Sequence, residues 1–269
     1  MRNLFFLIPI IIFQLISCNN DLSLINQTLP SNPQPDCETC SILFIGSSAL
    51  SYGRSDVVEI FSDLSMNGDK SVDIHDWIVG GHNFSDHCNN QMTNDLINSR
   101  TWDYVILQGG IPYISKEKWH YLTIPYLKEL IAKIKIRSKN AYIVYMMPWA
   151  FKDGLEWMEG ETDTYEQMQE NIYYNTTTLV KDLGIATAPV GWAWYDAITS
   201  GYKRDLFLSD FTHASKHGAY LTACVFYTTI FLETPPMISY NWEDDDNLQY
   251  LNDIASSIVL NDLELWNID

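Results

Sequence analysis

From residue 41 onward, short apolar runs rich in Val, Ile and aromatic residues alternate with longer stretches of helical spacing. This alternation constrains the fold more than any other feature of the chain. Strand runs without a polar face belong to buried parallel sheets, and parallel neighbours need a crossover between them. The spacing predicts strands at 41–45, 71–79, 103–107, 141–147 and 186–190. Helices are predicted at 56–66, 84–99, 116–137 and 164–183, with a final covering helix at 216–231. In the third of these, Leu127, Leu130, Ile131 and Ile134 form an apolar stripe on one face. Right-handed crossovers then give an α/β domain of three α/β/α layers around one doubly wound, five-stranded parallel sheet.

At 269 residues and 46% hydrophobic composition, the chain can bury one large core. Residues 41–269 are expected to form that domain. The start reads differently. Met1-Arg2-Asn3 is followed by the nearly wholly apolar Leu4 to Leu15 and then by Leu15-Ile16-Ser17-Cys18. A short basic start, an apolar stretch and small residues describe an export signal over residues 1–17. The run is shorter than the roughly 20 residues of a membrane span. Its last tetrad resembles a bacterial lipobox, which would make Cys18 a lipidation site and the protein a membrane-anchored lipoprotein, periplasmic or at the cell surface. An ordinary secretory signal with a chance cysteine is the alternative. Residues 18–40 contain the polar run Asn19 to Asp36 that a tether would supply.

The formal net charge is −18, which opposes nucleic-acid binding because that needs Lys/Arg surfaces that release counterions. Cys37 and Cys40 form a lone C-x-x-C ahead of the first strand, more suited to a local disulfide in an exported protein than to zinc or redox chemistry. Cys88 and Cys224 could be bridged or be two buried thiols. The acidic stretch Asn241 to Asp246 reads as a solvated loop, and it lacks the oxygen-ligand spacing of a calcium loop.

In an open parallel sheet, ligands sit beyond the carboxyl ends of the strands. Ser47 and Ser48 follow the first strand, Gly80, Gly81 and His82 the second, Gln108 the third and Trp149 the fourth. All are predicted on one edge. Downstream, Ser209-Asp210-Phe211-Thr212-His213 places a carboxylate and an imidazole three residues apart before a helix. A hydroxyl becomes a useful nucleophile when a base takes its proton, and a carboxylate orients that base. Alone, the pair equally fits a capping Asp beside a surface His, as Ser47-Ser48 alone fits a helix N-cap.

Four blocks in order resemble the SGNH hydrolases, the GDSL-like esterases and lipases, across most of residues 41–233: FIGSS, VGGHN, DYVILQ and DFTHASKHGAYLTA. The resemblance implies a flavodoxin-like sheet and a triad of Ser48, His213 and Asp210. It also implies an oxyanion hole from Ser48, Gly80 or Gly81, and Gln108. Two positions depart from the pattern. Ser47 stands where Asp or Asn is common, and Gln108 where Asn is usual. Gly46 is expected to permit the sharp turn that exposes Ser48.

The reaction implied is hydrolysis of short acyl esters, acetyl among them, without cofactor or metal. His213 and His217 lie four apart, but Ala214 replaces the Glu that a zinc protease motif requires. His82, Trp149 and Trp192 are candidates to line the substrate site, since aromatic rings near strand ends suit an acylated glycan. His82 and His87 are expected to be structural or cleft-lining, and His75 to lie in the core. A lipid-anchored glycan-binding protein of the same fold, without activity, is the competing expectation.

Overall fold

Cys40–Gly46 (β1) is a fully buried inner strand of a five-stranded parallel sheet, next to its edge. It pairs with Val72–Ile78 (β2) on one side and Tyr104–Leu107 (β3) on the other. Tyr142–Met146 (β4) and Ala186–Ala188 (β5) continue outward from β3, giving the order β2-β1-β3-β4-β5. The chain thus leaves β1 for one neighbour and returns on the other side. That reversal opens a crevice beyond the carboxyl ends of β1 and β3. These coordinates are a computed structural model, which describes residues 33–240, 242 and 245–268. The expected signal peptide at 1–17, the lipidation site Cys18 and most of the tether lie outside the described residues, as do Asn241, Glu243 and Asp244 of the acidic loop.

Helices cover both faces. Val57–Asn67 (α1) is capped by Asp56, whose carboxylate accepts from the Val58 and Glu59 N–H groups. With Lys216–Phe231 (α7) it covers the face to which Phe44 points, where Phe44 meets Phe61 and Phe226 edge-on at 5.5 and 5.6 Å. Its continuous apolar composition lets α7 be buried on nearly every side. Asp245–Leu260 (α8) packs against α7 from outside. Phe84–Asn89 (α2) covers the opposite face, where Phe84 meets Tyr145. Gln91–Ser99 (α3) and Ile124–Arg137 (α4) pack with α2.

Several boundaries differ from those read in the sequence, each for a local reason. The helix expected over 84–99 breaks at Asn90, whose extended backbone caps α3 through its own side chain. The one expected over 116–137 becomes a 3₁₀ segment, Glu117–Leu122, followed by α4 with proline in its first turn. Ala186–Val190 stops as a strand at Ala188, because Pro189 cannot donate to a ladder and instead starts the helix Val190–Thr199 (α6). Tyr165–Leu183 (α5) and α7 follow expectation. His75, expected in the core, sits on the edge strand β2 with its side chain 42% exposed and paired with Asp73 at 3.2 Å. Cys37 and Cys40 form a disulfide, while Cys88 and Cys224 are buried free thiols.

Candidate active site

β1 ends at Gly46 and the chain folds back at once, with the Leu50 N–H donating to the Ser47 carbonyl at 2.9 Å. Gly46 is required by close approach and not by a left-handed backbone. A Cβ there would come within 2.7 Å of Leu50 Cδ1 and 2.8 Å of Gln108 Oε1. The Gly46 carbonyl accepts from the Val79 N–H at 3.0 Å and from His87 Nε2 at 3.1 Å. Since a carbonyl only accepts, His87 carries its proton on Nε2, and its Nδ1 accepts from the Thr93 hydroxyl at 3.0 Å. His87 is fully buried, and burial pushes its pKa down to about 4 against the opposing pull of the Gly46 carbonyl. A neutral imidazole therefore anchors the turn that carries Ser48.

Gln108 follows β3 and holds the same turn from the other side. Its Oε1 accepts from the Ser47 N–H at 2.6 Å and from Ser47 Oγ at 3.0 Å, and its Nε2 donates to the Gly109 carbonyl. The backbone donor and acceptor fix which end of the amide is which. Gln108 is fully buried, so its expected place among the oxyanion donors is corrected: its longer arm curls back onto Ser47. The two departures from the SGNH pattern, Ser47 and Gln108, are thus one interaction.

The imidazole comes from a loop between α6 and α7. The Leu208 N–H donates to the His213 carbonyl at 2.8 Å, and the Lys152 N–H to the Phe211 carbonyl at 2.9 Å. Phe211 holds a left-handed backbone, φ 61°, a strained conformation for a bulky residue. In this loop Asp210 Oδ1 accepts from the Thr212 and His213 N–H groups, while Oδ2 lies 2.8 Å from His213 Nδ1. Across the cavity, His213 Nε2 lies 2.9 Å from Ser48 Oγ. Partial burial raises the Asp210 pKa, but the hydrogen bonds from His213 and Thr212 and the His213 charge outweigh it, leaving a net lowering. Asp210 stays ionised at neutral pH.

Ser48 and His213 open into a cavity of about 150 Å³ lined also by Gly81, His82, Asn83, Ile111, Pro112, Tyr113 and Phe151. Of the two candidate glycines, Gly81 lines this cavity, whereas Gly80 lines a separate, acidic one with Asp56, Glu59, Asp63 and Asp76. His82 lies where expected. Trp149 does not: it is fully buried, stacked on Trp194 at 4.2 Å, and donates Nε1 to the Thr212 carbonyl at 2.9 Å. It braces the His213 loop from beneath instead of meeting a substrate. Trp192 lies outside this cavity on α6, between Tyr173 and Tyr195 at 4.3 and 4.9 Å.

Nothing in the residue pattern pointed to Tyr52. It lies in the two-stranded ribbon of Ser51–Tyr52 and Ser55–Asp56, and its ring stacks on His213 with centroids 3.6 Å apart. Such pairing becomes visible only when the ribbon is folded over the downstream loop.

No family model matches the sequence, and neither does any curated protein. Solved structures do superpose. A protein of Slackia heliotrinireducens proposed to be an SGNH hydrolase shares 19% identity, covering 70% of this chain and 97% of its own, with a TM-score of 0.56. This is the SGNH-hydrolase fold. Axe2, an acetylxylan esterase from Geobacillus stearothermophilus, has it too, at 17% identity and a TM-score of 0.54 over 72% of this chain and 95% of its own. A DUF4886 family protein from Bacteroides uniformis superposes with a TM-score of 0.70 at 18% identity, over 83% and 96% of the two chains. In the SGNH-hydrolase fold of this chain, Ser48 and the Gln108 brace stand at the β1/β3 crevice where the topology reverses.

Proposed function

We propose that the protein is a serine esterase that removes short acyl groups, acetyl foremost, from carbohydrate. The observation that carries this reading is the hydrogen-bonded series from Ser48 Oγ through His213 to Asp210, at 2.9 and 2.8 Å. Ser48 Oγ attacks the ester carbonyl as His213 Nε2 takes its proton, and the Asp210 carboxylate holds the imidazole and balances the imidazolium. The Ser48 and Gly81 N–H groups receive the oxyanion. His213 then protonates the departing sugar hydroxyl, and water enters by the reverse path to release the acid and free Ser48.

A cavity of only about 150 Å³, with Ile111, Pro112, Tyr113 and Phe151 in its lining, supports a small acyl group, and the acetylxylan esterase activity of the structural neighbour Axe2 supports a carbohydrate ester. The test is a series of aryl esters of increasing acyl length. Acetate should be turned over with kcat/KM at least about tenfold above octanoate, since a chain that the cavity cannot hold forfeits its apolar transfer energy. Absence of hydrolysis on every acyl ester, with glycan binding retained, would favour the binding protein instead.

The lipobox-like tetrad supports an exported lipoprotein acting from a membrane surface. In cells fed a labelled fatty acid the protein should take up label, and Cys18→Ala should abolish uptake. Label retained by the variant would remove Cys18 from that role.

A further inference from the structure

With Gln108 turned away, the cavity beside Ser48 lacks the side-chain amide that the family pattern would supply. We infer that Asn83, from a different segment, serves as the third oxyanion donor. The inference rests on the esterase reading above and names a catalytic group within it.

Asn83 lines the same cavity as Ser48, Gly81 and His213. Its amide orientation is fixed by its neighbours. Oδ1 accepts from the Ser85 N–H at 2.8 Å, the Ser85 hydroxyl at 2.6 Å and the Asp86 N–H at 3.3 Å, capping α2. Backbone N–H groups only donate, so the oxygen faces the helix and the nitrogen is the other limb. Asp86 returns the contact by accepting from the Asn83 N–H at 2.9 Å, closing a capping box. Among the described residues, Asn83 Nδ2 makes no hydrogen bond. The cap therefore pre-orients a donor without consuming it, as oxyanion stabilisation requires. The contrast with Gln108 is direct: there both ends of the amide are spent on Ser47 and Gly109, and the side chain is fully buried.

In the reaction, the carbonyl π pair moves to oxygen as Ser48 Oγ bonds to carbon. Asn83 Nδ2–H donates to that oxygen together with the Ser48 and Gly81 N–H groups. No proton is transferred to or from Asn83, and the contact weakens as the carbonyl re-forms and the alcohol leaves.

Two substitutions separate donor from cap. Asn83→Asp keeps the capping oxygen in place and removes the N–H; Asn83→Gly removes the side chain at a position where glycine still caps acceptably. Both should lower kcat on aryl acetate by about 100- to 1000-fold, with KM changed less than about threefold and melting temperature close to the parent's. A purely structural role would instead lower the melting temperature and leave kcat of the folded fraction intact. Should either variant fail to fold, the parent protein decides. Reaction of Ser48 with a methylphosphonate inhibitor creates a stable oxyanion mimic, and the side-chain amide protons of Asn83 should then move downfield in a ¹⁵N-resolved spectrum while those of Gln108 stay in place. Variants within threefold of parental kcat, or a shift at Gln108 and none at Asn83, would overturn the assignment. Loss of hydrolysis in Ser48→Ala alongside undiminished Asn83 variants would reject this inference and leave the esterase reading standing.

Discussion

Ser48→Ala is expected to lower kcat on aryl acetate by about 10⁴- to 10⁶-fold, with no loss of thermal stability. On the proposed mechanism the three groups act as a unit, and the size follows from that. Once the nucleophile is gone, His213 has no proton to accept and the Asp210 carboxylate has no developing charge to balance, so only binding and oxyanion donation remain. For the same reason Ser48→Ala, His213→Ala and the double variant should have nearly the same residual rate, far from the product of two independent losses. Folding is spared because the Ser48 hydroxyl bonds only to His213 among the described residues, while the turn is held through Gly46 and Ser47. The measurement is steady-state hydrolysis on freshly purified soluble domain, beside thermal unfolding of each variant. A Ser48→Ala rate within tenfold of the parent would place the nucleophile elsewhere, and so would a double variant much slower than either single one.

Much of this site was legible in the sequence, and the reason is topological. A parallel sheet delivers every strand-end residue to one edge, so the positions of Ser48, Gly81, His82 and Gln108 followed once the strands were found. The Asp210–His213 pair was legible because both residues sit within one tight loop. What escaped is whatever depends on side-chain direction. Gln108 arrives at the right edge, yet its length and a neighbouring serine turn it inward; composition does not say which way an amide points. Trp149 likewise follows its strand as expected and then buries its ring against Trp194. Asn83 was hidden by its local role, because a residue that caps a helix looks fully explained by that cap. Helix α6 escaped for a related reason. Pro189 reads as an interruption of a strand, and the aromatic run after it has no polar face to mark an amphipathic helix.

Acid should weaken this fold through His87 in a defined window. Its folded pKa of about 4 lies below the ordinary value of 6.5 because the ring is buried. Above pH 6.5 the ring is neutral folded or unfolded, so its contribution is flat and fully present. As pH falls from 6.5 toward 4, the unfolded chain binds a proton that the folded chain refuses, and stability declines by up to about 1.4 kcal/mol per unit. The total approaches about 3 kcal/mol at pH 4, below which both states are protonated and the loss ends. Asp210 adds its own acid sensitivity, but from a carboxylate lowered below its ordinary range, and so at more acidic pH. The two are therefore separable by substitution. His87→Gln keeps a donor for the Gly46 carbonyl and removes the titration, so its unfolding free energy should be lower at pH 7 yet fall less steeply than the parent's between pH 6.5 and 4. Denaturant titrations at half-unit intervals read the difference in slope directly. Parallel curves for parent and variant would mean that His87 already carries its proton in the folded protein, and the neutral brace beneath Ser48 would have to be abandoned.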